Sequence, residues 1–370
     1  MKNPLPEEEY KKRKREKDYS PRSDYFRDQT AIIHSMPFRR LKHKTQVFFS
    51  PENDHVCTRI EHVLHVATIG ATICKGLNDF AWELNPEMAY AIGLGHDLGH
   101  APFGHAGEEA LSRKLENKFI HEVHGLRTVD KLCYNGKGLN LTYGVRDGII
   151  THNGEDLQQK LKPVEIINDL ERINDRKAAP SSYEGCIIRF ADVIAYLGRD
   201  IEDAYLANII KPEDIPKEIE KEVGAKNGQI IDSLVVDLIK TSKNSDCIKL
   251  SDELFEKVKT LQDFNYDRIY NHPIISNYRE MGENIIEELF DYLLEKYNNN
   301  GKDYKKYKES ELDLDRQFGN YIERYEDLYN NEGNIPKVIV CDYIAGMTDN
   351  YALNAMEQIK IPKPISFNSK

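Results

Sequence analysis

GLGHDLGHAPFGHAGEEAL, residues 93–111, sets a helix stop against a cluster of histidines. The segment before it, MAYAIGLGHDL, follows Asn85-Pro86-Glu87. Asn can cap a helix, Pro suits the first turn, and Glu faces the positive end of the helix dipole. A helix is therefore predicted to start there and to be broken by Gly99 and Pro102. A second helix is predicted from near His105, with Glu108 and Glu109 in its first turn. On a regular helix the adjacent His96 and Asp97 would point about 100° apart. Where the helix stops and the backbone opens, both can reach one ion.

Outward from this stretch the chain reads as helical. TRIEHVLHVATIGATICKGL (58–77) places Ile60, Val63, Leu64, Ala67 and Ala71 on one apolar stripe. Ser181-x-x-Glu184 has the pattern of a capping box ahead of CIIRFADVIAYLGRDIEDAYL (186–206). From residue 211 the sequence is rich in Glu, Lys, Asn and Tyr with helical periodicity, as in DELFEKVKTL and ENIIEELFDYLLEKY. Asn298-Asn299-Asn300-Gly301 is predicted to be a turn or loop. LNLTYGV (139–145) fits a short β segment or a helix start. Strand signals are few and no repeat is visible, so the expected fold class is mainly α.

Composition sets the outer limits. The 370 residues include 51 Lys and Arg against 62 Asp and Glu, for a net charge of −11. With 40% hydrophobic residues, the chain can bury a large core and is not wholly disordered. No apolar run approaches the ~20 residues that span a bilayer. The first residues, MKNPLPEEEYKKRKREKDY, lack the apolar region of a secretory signal. Six scattered cysteines without a CxxC pair fit reduced thiols in a cytoplasmic protein. The acidic balance argues against a general nucleic-acid coat. A local basic cluster, Lys11 to Lys17, is either a solvated arm or a site for phosphates of an effector or a nucleic-acid end.

Histidine is unevenly placed: of 12, 11 fall at or before His152. His62 lies mid-helix in RIEHVLHVA, and Asp192 mid-helix in IIRFADVIAYL. A charged Asp among Phe190, Ala191, Val193 and Ile194 costs several kcal/mol if buried unpaired, so it wants a cation, or a partner such as Arg189 or Arg199. His62, His96, Asp97 and Asp192 together offer two imidazoles and two carboxylates. Such mixed donors suit Mn²⁺, Fe²⁺, Mg²⁺ or Zn²⁺.

The ordered segments FRRLKHKTQVF (38–48), TRIEH (58–62), HDLGHAPFGHAGE (96–108), HEVHGLRTVD (121–130), GLNLT (138–142), DVIAYLGRDIEDA (192–204) and DYIAGMTDNYAL (342–353) resemble the dGTPase-like deoxynucleoside triphosphate triphosphohydrolases of the HD-domain superfamily. The resemblance implies a charged N-terminal arm at 1–28, an HD-domain helical core at 29–210 and a C-terminal helical region at 211–370 packed on it. It implies His62, His96, Asp97 and Asp192 as ligands of a divalent ion, with Mn²⁺ or Mg²⁺ favoured. His105 and Glu108 match the family's catalytic His and its acidic partner, and His121 a further His of the active site, with His124 the alternative. Arg59 and His100 match groups near the phosphates. Gln46, Tyr196 and Asp200 match residues that hold the deoxyribose. Val193 departs from relatives that place a Lys after the Asp ligand.

The implied reaction is hydrolysis of dGTP or several dNTPs to deoxynucleoside and inorganic triphosphate. The same resemblance implies a homo-oligomer and a dNTP effector, and no membrane. Two other readings stand beside it: another HD-domain phosphohydrolase, such as a 5′-nucleotidase or nucleotide phosphodiesterase, and a nucleotide- or single-stranded-DNA-binding regulator. KTQVF, PFGH and the Tyr196/Asp200 pair favour the triphosphohydrolase.

Overall fold

The computed structural model describes residues 1–49, 56–116, 118–154 and 157–361. The chain is mainly α. Among the described residues the strands are Lys160–Leu161 and Ile248–Lys249, paired antiparallel. By packing, the chain forms two compact units. One joins residues 1–100 to 120–278, and the other joins 101–119 to 279–370.

The first unit is organised by three helices. Arg59–Asn78 begins after Thr58, whose backbone N–H donates to Glu61 Oε2 at 2.8 Å. Pro86–Gly95 begins where Asn85 Oδ1 accepts from the N–H groups of Glu87 and Met88, at 3.0 and 3.2 Å. Tyr183–Leu206 is the long central helix. The first of these packs against both others. Val63, Val66, Ala67, Ile73, Ala89, Ile92, Ile187, Ile188 and Ile194 are buried between them. The expected apolar stripe is corrected: Val63 and Ala67 turn inward, but Ile60 and Ala71 are only partly buried and Leu64 is exposed, because the two partner helices cover the face that carries Val66, Gly70, Ile73, Cys74 and Leu77.

The expected capping box at Ser181 and Glu184 is corrected. The cap is Ser182, whose hydroxyl accepts from Gly185 N–H at 3.1 Å. Ser181 instead donates its N–H and its hydroxyl to Asp147 Oδ2. Glu184 accepts from Asn85 N–H and Asn3 Nδ2. Both residues are buried, and long-range partners outcompete a local cap there. Of the two alternatives for 139–145, the helical one is found, as Tyr143–Ile150. The run Asn298–Asn300 is helical, at the end of Pro273–Asn300, and the turn comes at Gly301 with φ of 52°.

The N-terminal residues lie within the first unit. Tyr10 is buried and donates to the Ser181 carbonyl at 2.6 Å. Arg13 pairs with Asp28 at 2.5 Å, and Lys14 with Asp130 at 3.0 Å. In the second unit, Leu289, Phe290, Leu314, Phe318, Ile322, Ile339 and Ile344 are buried. Phe103 N–H donates to Asp349 Oδ1 at 2.9 Å, and Arg113 pairs with Glu283 and Glu287. No described helix is long and apolar enough to cross a membrane.

The Pro86–Gly95 helix packs on Arg59–Asn78 at backbone contact. A Cβ on Gly93 would lie 2.6 Å from Ala67 Cα and 2.7 Å from Ala67 N. The partner there is main chain, which cannot rotate aside. Gly93→Ala should therefore force the two helices apart and lower stability by roughly 1–3 kcal/mol, the usual range for overpacking. Urea denaturation of the variant beside the parent protein checks this, and an unchanged midpoint would contradict it.

Candidate active site

Five elements of the first unit bring their polar side chains to one place. His62 comes from the first turn of Arg59–Asn78. His96 and Asp97 come from the 3₁₀ turn His96–Gly99 that closes the preceding helix. Asp192 comes from the middle of Tyr183–Leu206. His121 opens the helix His121–Arg127, and His152 follows Tyr143–Ile150.

The turn sits where it does because Gly99 allows it. A Cβ there would lie 2.0 Å from the His121 carbonyl oxygen and 2.2 Å from Gly125 N. His96 is completely buried, and its Nδ1 lies 2.7 Å from the Gly93 carbonyl. A carbonyl only accepts, so Nδ1 carries a proton and Nε2 faces inward. That Nε2 is 3.3 Å from His62 Nε2, 3.3 Å from Asp97 Oδ1 and 3.9 Å from Asp192 Oδ1. His62 Nε2 is 3.0 Å from Asp192 Oδ1 and 3.9 Å from Asp97 Oδ2. One donor atom each from His62, His96 and Asp192 falls within 4.8 Å of the others. Two neutral-capable imidazoles and carboxylates at this spacing are the donor set of a divalent cation, and the residues present fit one.

Asp192 does not pair with either arginine weighed for it. Arg189 donates to the carbonyls of Thr151 and Ala178, and Arg199 pairs with Glu202 at 3.2 Å. Gly154 closes over the Asp192 carboxylate: a Cβ on it would lie 1.9 Å from Asp192 Oδ2.

Charge in the cluster is strongly differentiated. Burial would raise the Asp97 carboxyl, but His96, His100 and Arg59 beside it hold it well below the usual carboxylate range. Burial likewise opposes ionisation of Asp192, and the hydrogen bond to His62 with the nearby His96 lowers it. His62 is raised, against its burial, by Asp192 and Asp97. His100 is lowered well below its ordinary value by burial, Arg59 and His121. His152 is lowered to about 4 by burial and His96.

Arg59 is 1% exposed. Its NH1 donates to Asp97 Oδ2 at 2.7 Å, while Nε and NH2 are buried without a hydrogen-bond partner among the described residues. A buried guanidinium with two unmet donors is costly unless an anion completes it. Gln46 Oε1 is another buried acceptor without a donor. His100 Nε2 is 3.2 Å from Asp97 Oδ1, and its ring stacks on His121 with centroids 3.8 Å apart. Lys44 donates to the His100 carbonyl.

Residues 59–197 match the HD domain family, a span that contains His62, His96, Asp97 and Asp192, and residues 248–358 match the phosphohydrolase-associated domain. A deoxyguanosinetriphosphate triphosphohydrolase-like protein of Caldanaerobacter subterraneus subsp. tengcongensis is 38% identical over 343 residues, 93% of this chain and 86% of that one. The chain belongs to the dGTPase-like proteins of the HD-domain phosphohydrolases. A second relative of the same description, from Desulfatibacillum aliphaticivorans, is 36% identical over 97% of this chain and 94% of its own. A solved hypothetical protein from Aquifex aeolicus aligns with 88% of this chain and 66% of its own, at 16% identity and a TM-score of 0.43.

In this HD-domain protein, His121 and His124 part company. His121 Nε2 is 3.2 Å from His152 Nε2, whereas His124 Nδ1 is 3.0 Å from the Gly99 carbonyl and secures the turn. Tyr196 accepts from Gln262 Nε2 at 2.8 Å, and Asp200 accepts from Tyr270 OH at 2.5 Å. Val193 is buried in the core. His105 and Glu108 belong to the second unit; His105 Nδ1 is 3.3 Å from Glu108 Oε2, and the ring is half exposed. Sequence reasoning missed His152, Arg176, Glu122 and Gly154. Their only signal was the crowding of histidines ahead of residue 153.

Gly154→Ala should push the Asp192 carboxylate aside and weaken divalent-metal retention about 10–100-fold, the usual effect of disturbing a ligand's support. Metal titration of the folded variant checks it, and unchanged affinity would show that Asp192 need not stay where Gly154 lets it sit. Asp200 gives a pH signature. Burial pushes its carboxyl up to about 7, against an ordinary value of about 3.9. Between those values the folded chain holds a proton that the unfolded chain lacks, so this contribution to stability is present at low pH and lost as pH rises through 7. In chelator, Asp200→Asn should flatten the fall in unfolding midpoint from pH 5.5 to 8; parallel curves would contradict the assignment.

Proposed function

We propose that the chain hydrolyses deoxynucleoside triphosphates, dGTP or several dNTPs, to a deoxynucleoside and inorganic triphosphate. The observation that carries this is the buried Arg59 guanidinium, with two unmet donors, beside the convergent His62, His96, Asp97 and Asp192. An anion is needed there, and a phosphate offers oxygens in the geometry of a guanidinium fork. The relatives' description as deoxyguanosinetriphosphate triphosphohydrolase-like supplies the substrate class.

His62, His96, Asp97 and Asp192 would hold a divalent cation, which would supply positive charge to polarise a phosphate oxygen. Arg59 donates Nε and NH2 to phosphate oxygens while NH1 keeps Asp97 ionised. His100, kept neutral by burial, lies against Asp97 on the phosphate side. Water adds across the bond between the α-phosphorus and the 5′ oxygen. Its oxygen stays on phosphorus, and the 5′ oxygen leaves with a proton. His105, within reach of Glu108, is the proposed source of that proton, a contribution of about 10²–10⁴-fold in such reactions, and the proton given up by the attacking water restores it over the cycle. Tyr196 and Gln46 are the proposed contacts at the 2′ position and Asp200 the acceptor for the 3′ hydroxyl. His121, stacked on the His100 ring, is the proposed further histidine of the site.

Chromatography of products from a dNTP panel with Mn²⁺ and Mg²⁺ tests the reading. Tripolyphosphate with free deoxynucleoside is expected; orthophosphate or pyrophosphate would overturn it in favour of another HD-domain phosphohydrolase. Arg59→Lys keeps the charge and loses the fork. It should lower kcat/KM about 10–100-fold, from the ~1.5–3 kcal/mol of a charged hydrogen bond.

A further inference from the structure

Ahead of the helix His105–Lys114 the backbone takes an unusual course. Phe103 has φ of 63°, and Gly104 after it has φ of 60° with ψ of −128°. Glycine takes such angles freely. In a bulky residue the Cβ crowds its own backbone, so a positive φ persists only where surrounding contacts impose it. Phe103 is buried and stands two residues before His105.

Contacts within the second unit impose it. The Phe103 N–H donates to Asp349 Oδ1 at 2.9 Å, across 246 residues of sequence. Gly282, in the helix Pro273–Asn300, leaves room for the ring: a Cβ there would lie 3.0 Å from Phe103 Cβ and 3.2 Å from Phe103 Cγ. Gly107 does the same for the Pro102 carbonyl oxygen, which would lie 2.0 Å from a Cβ at 107. Asp349 is itself buried and locally fixed. It is the first residue of the helix Asp349–Lys360, which Thr348 caps by accepting from Tyr351 N–H at 3.2 Å.

What this turn delivers is His105. The Gly104 carbonyl accepts from Glu108 N–H at 3.1 Å, so the turn runs directly into the first turn of the helix. His105 is half exposed, with Nδ1 3.3 Å from Glu108 Oε2. Glu108 orients the ring but rides on the same helix, so it does not set where that helix begins. We infer that Asp349 is a positioning residue for His105. Its carboxylate holds Phe103 in the left-handed conformation from which the helix starts, and so places the imidazole for proton transfer to the leaving oxygen. The inference rests on the role proposed above for His105. It gives the phosphohydrolase-associated segment, 248–358, a part in shaping the HD-domain span 59–197, since Asp349 lies in the first and Phe103 in the second.

Two substrates with different leaving atoms test it in the full-length protein with Mn²⁺. The 5′ oxygen of dGTP needs a proton as it departs. An analogue with sulfur in place of that oxygen departs as a thiolate and needs none, thiols being far more acidic than alcohols. His105→Gln should therefore slow dGTP and spare the sulfur analogue. Asp349→Ala should do the same in kind, lowering kcat on dGTP about 10–100-fold with KM little changed, the scale for a catalytic group displaced by about 1 Å. Asp349→Asn keeps an oxygen for the Phe103 N–H and should restore most of the rate. Gly282→Ala presses on Phe103 from another side with Asp349 intact, should show the same selective loss, and serves if Asp349→Ala does not fold. Equal loss on both substrates would make Asp349 a contact that only stabilises the unit, and undiminished kcat in both Ala variants would show that the turn keeps its shape without it. Either result overturns the inference. A measurement without turnover separates this from failure of the proposed reaction. In ¹⁵N-histidine-labelled protein, the His105 ring signal, identified by its loss in His105→Gln, should shift in Asp349→Ala while the signals of exposed His34 and His43 stay. If the parent protein releases no tripolyphosphate from dGTP, the proposed reaction falls and this signal alone decides whether Asp349 holds His105; an unmoved signal overturns that hold.

Discussion

Two carboxylates in the interior, Asp97 and Asp192, make the demand that the rest of the first unit answers. An isolated buried carboxylate is far too costly to keep ionised, so it must be protonated or surrounded by positive charge and donors. Here it is surrounded. Asp97 faces Arg59, His96 and His100, and Asp192 faces His62. The helices carrying these groups pack close enough to deliver them because glycines stand at the tightest approaches: Gly93 on Ala67, Gly99 on His121 and Gly125, and Gly154 on Asp192. A side chain at any of the three would hold apart the groups that the carboxylates require.

The histidines are not equivalent, although they lie together. Burial lowers His100 and His152, so they are neutral donors and acceptors near neutral pH. His62 is pulled the other way by two carboxylates. The imidazoles of one cluster are therefore pulled in opposite directions, and a dication bound there would compete with a proton for His62. The carbonyls of Gly93 and Ile149 settle which nitrogen of His96 and His152 faces inward, so helix ends choose tautomers as well as positions.

Much of this was legible in the chain. The starts at Thr58 and at Asn85-Pro86 follow from local hydrogen bonding, and the stop at His96-Asp97 from Gly99 and Pro102. Ser181-x-x-Glu184 misled because a local pattern carries no information about distant competitors. Asp147 claims Ser181, and Asn3 with Asn85 claims Glu184. His152 and Arg176 were invisible for the same reason. They reach His121 across 31 and 55 residues of sequence, and nothing at their own positions announces it.

The order and spacing of residues alone determined the helices and a short set of histidines and aspartates worth a metal, because caps, breakers and periodicity act within a few residues; the face of Arg59–Asn78 that turns inward, leaving Leu64 exposed, was set by the helices packed on it. Only tertiary structure decided that His121 turns to His152 while His124 holds Gly99, that Asp192 meets His62 and neither arginine, and that 101–119 packs with 279–370. Those outcomes depend on which backbones come within contact of one another, a property of the packed interior that no single segment contains.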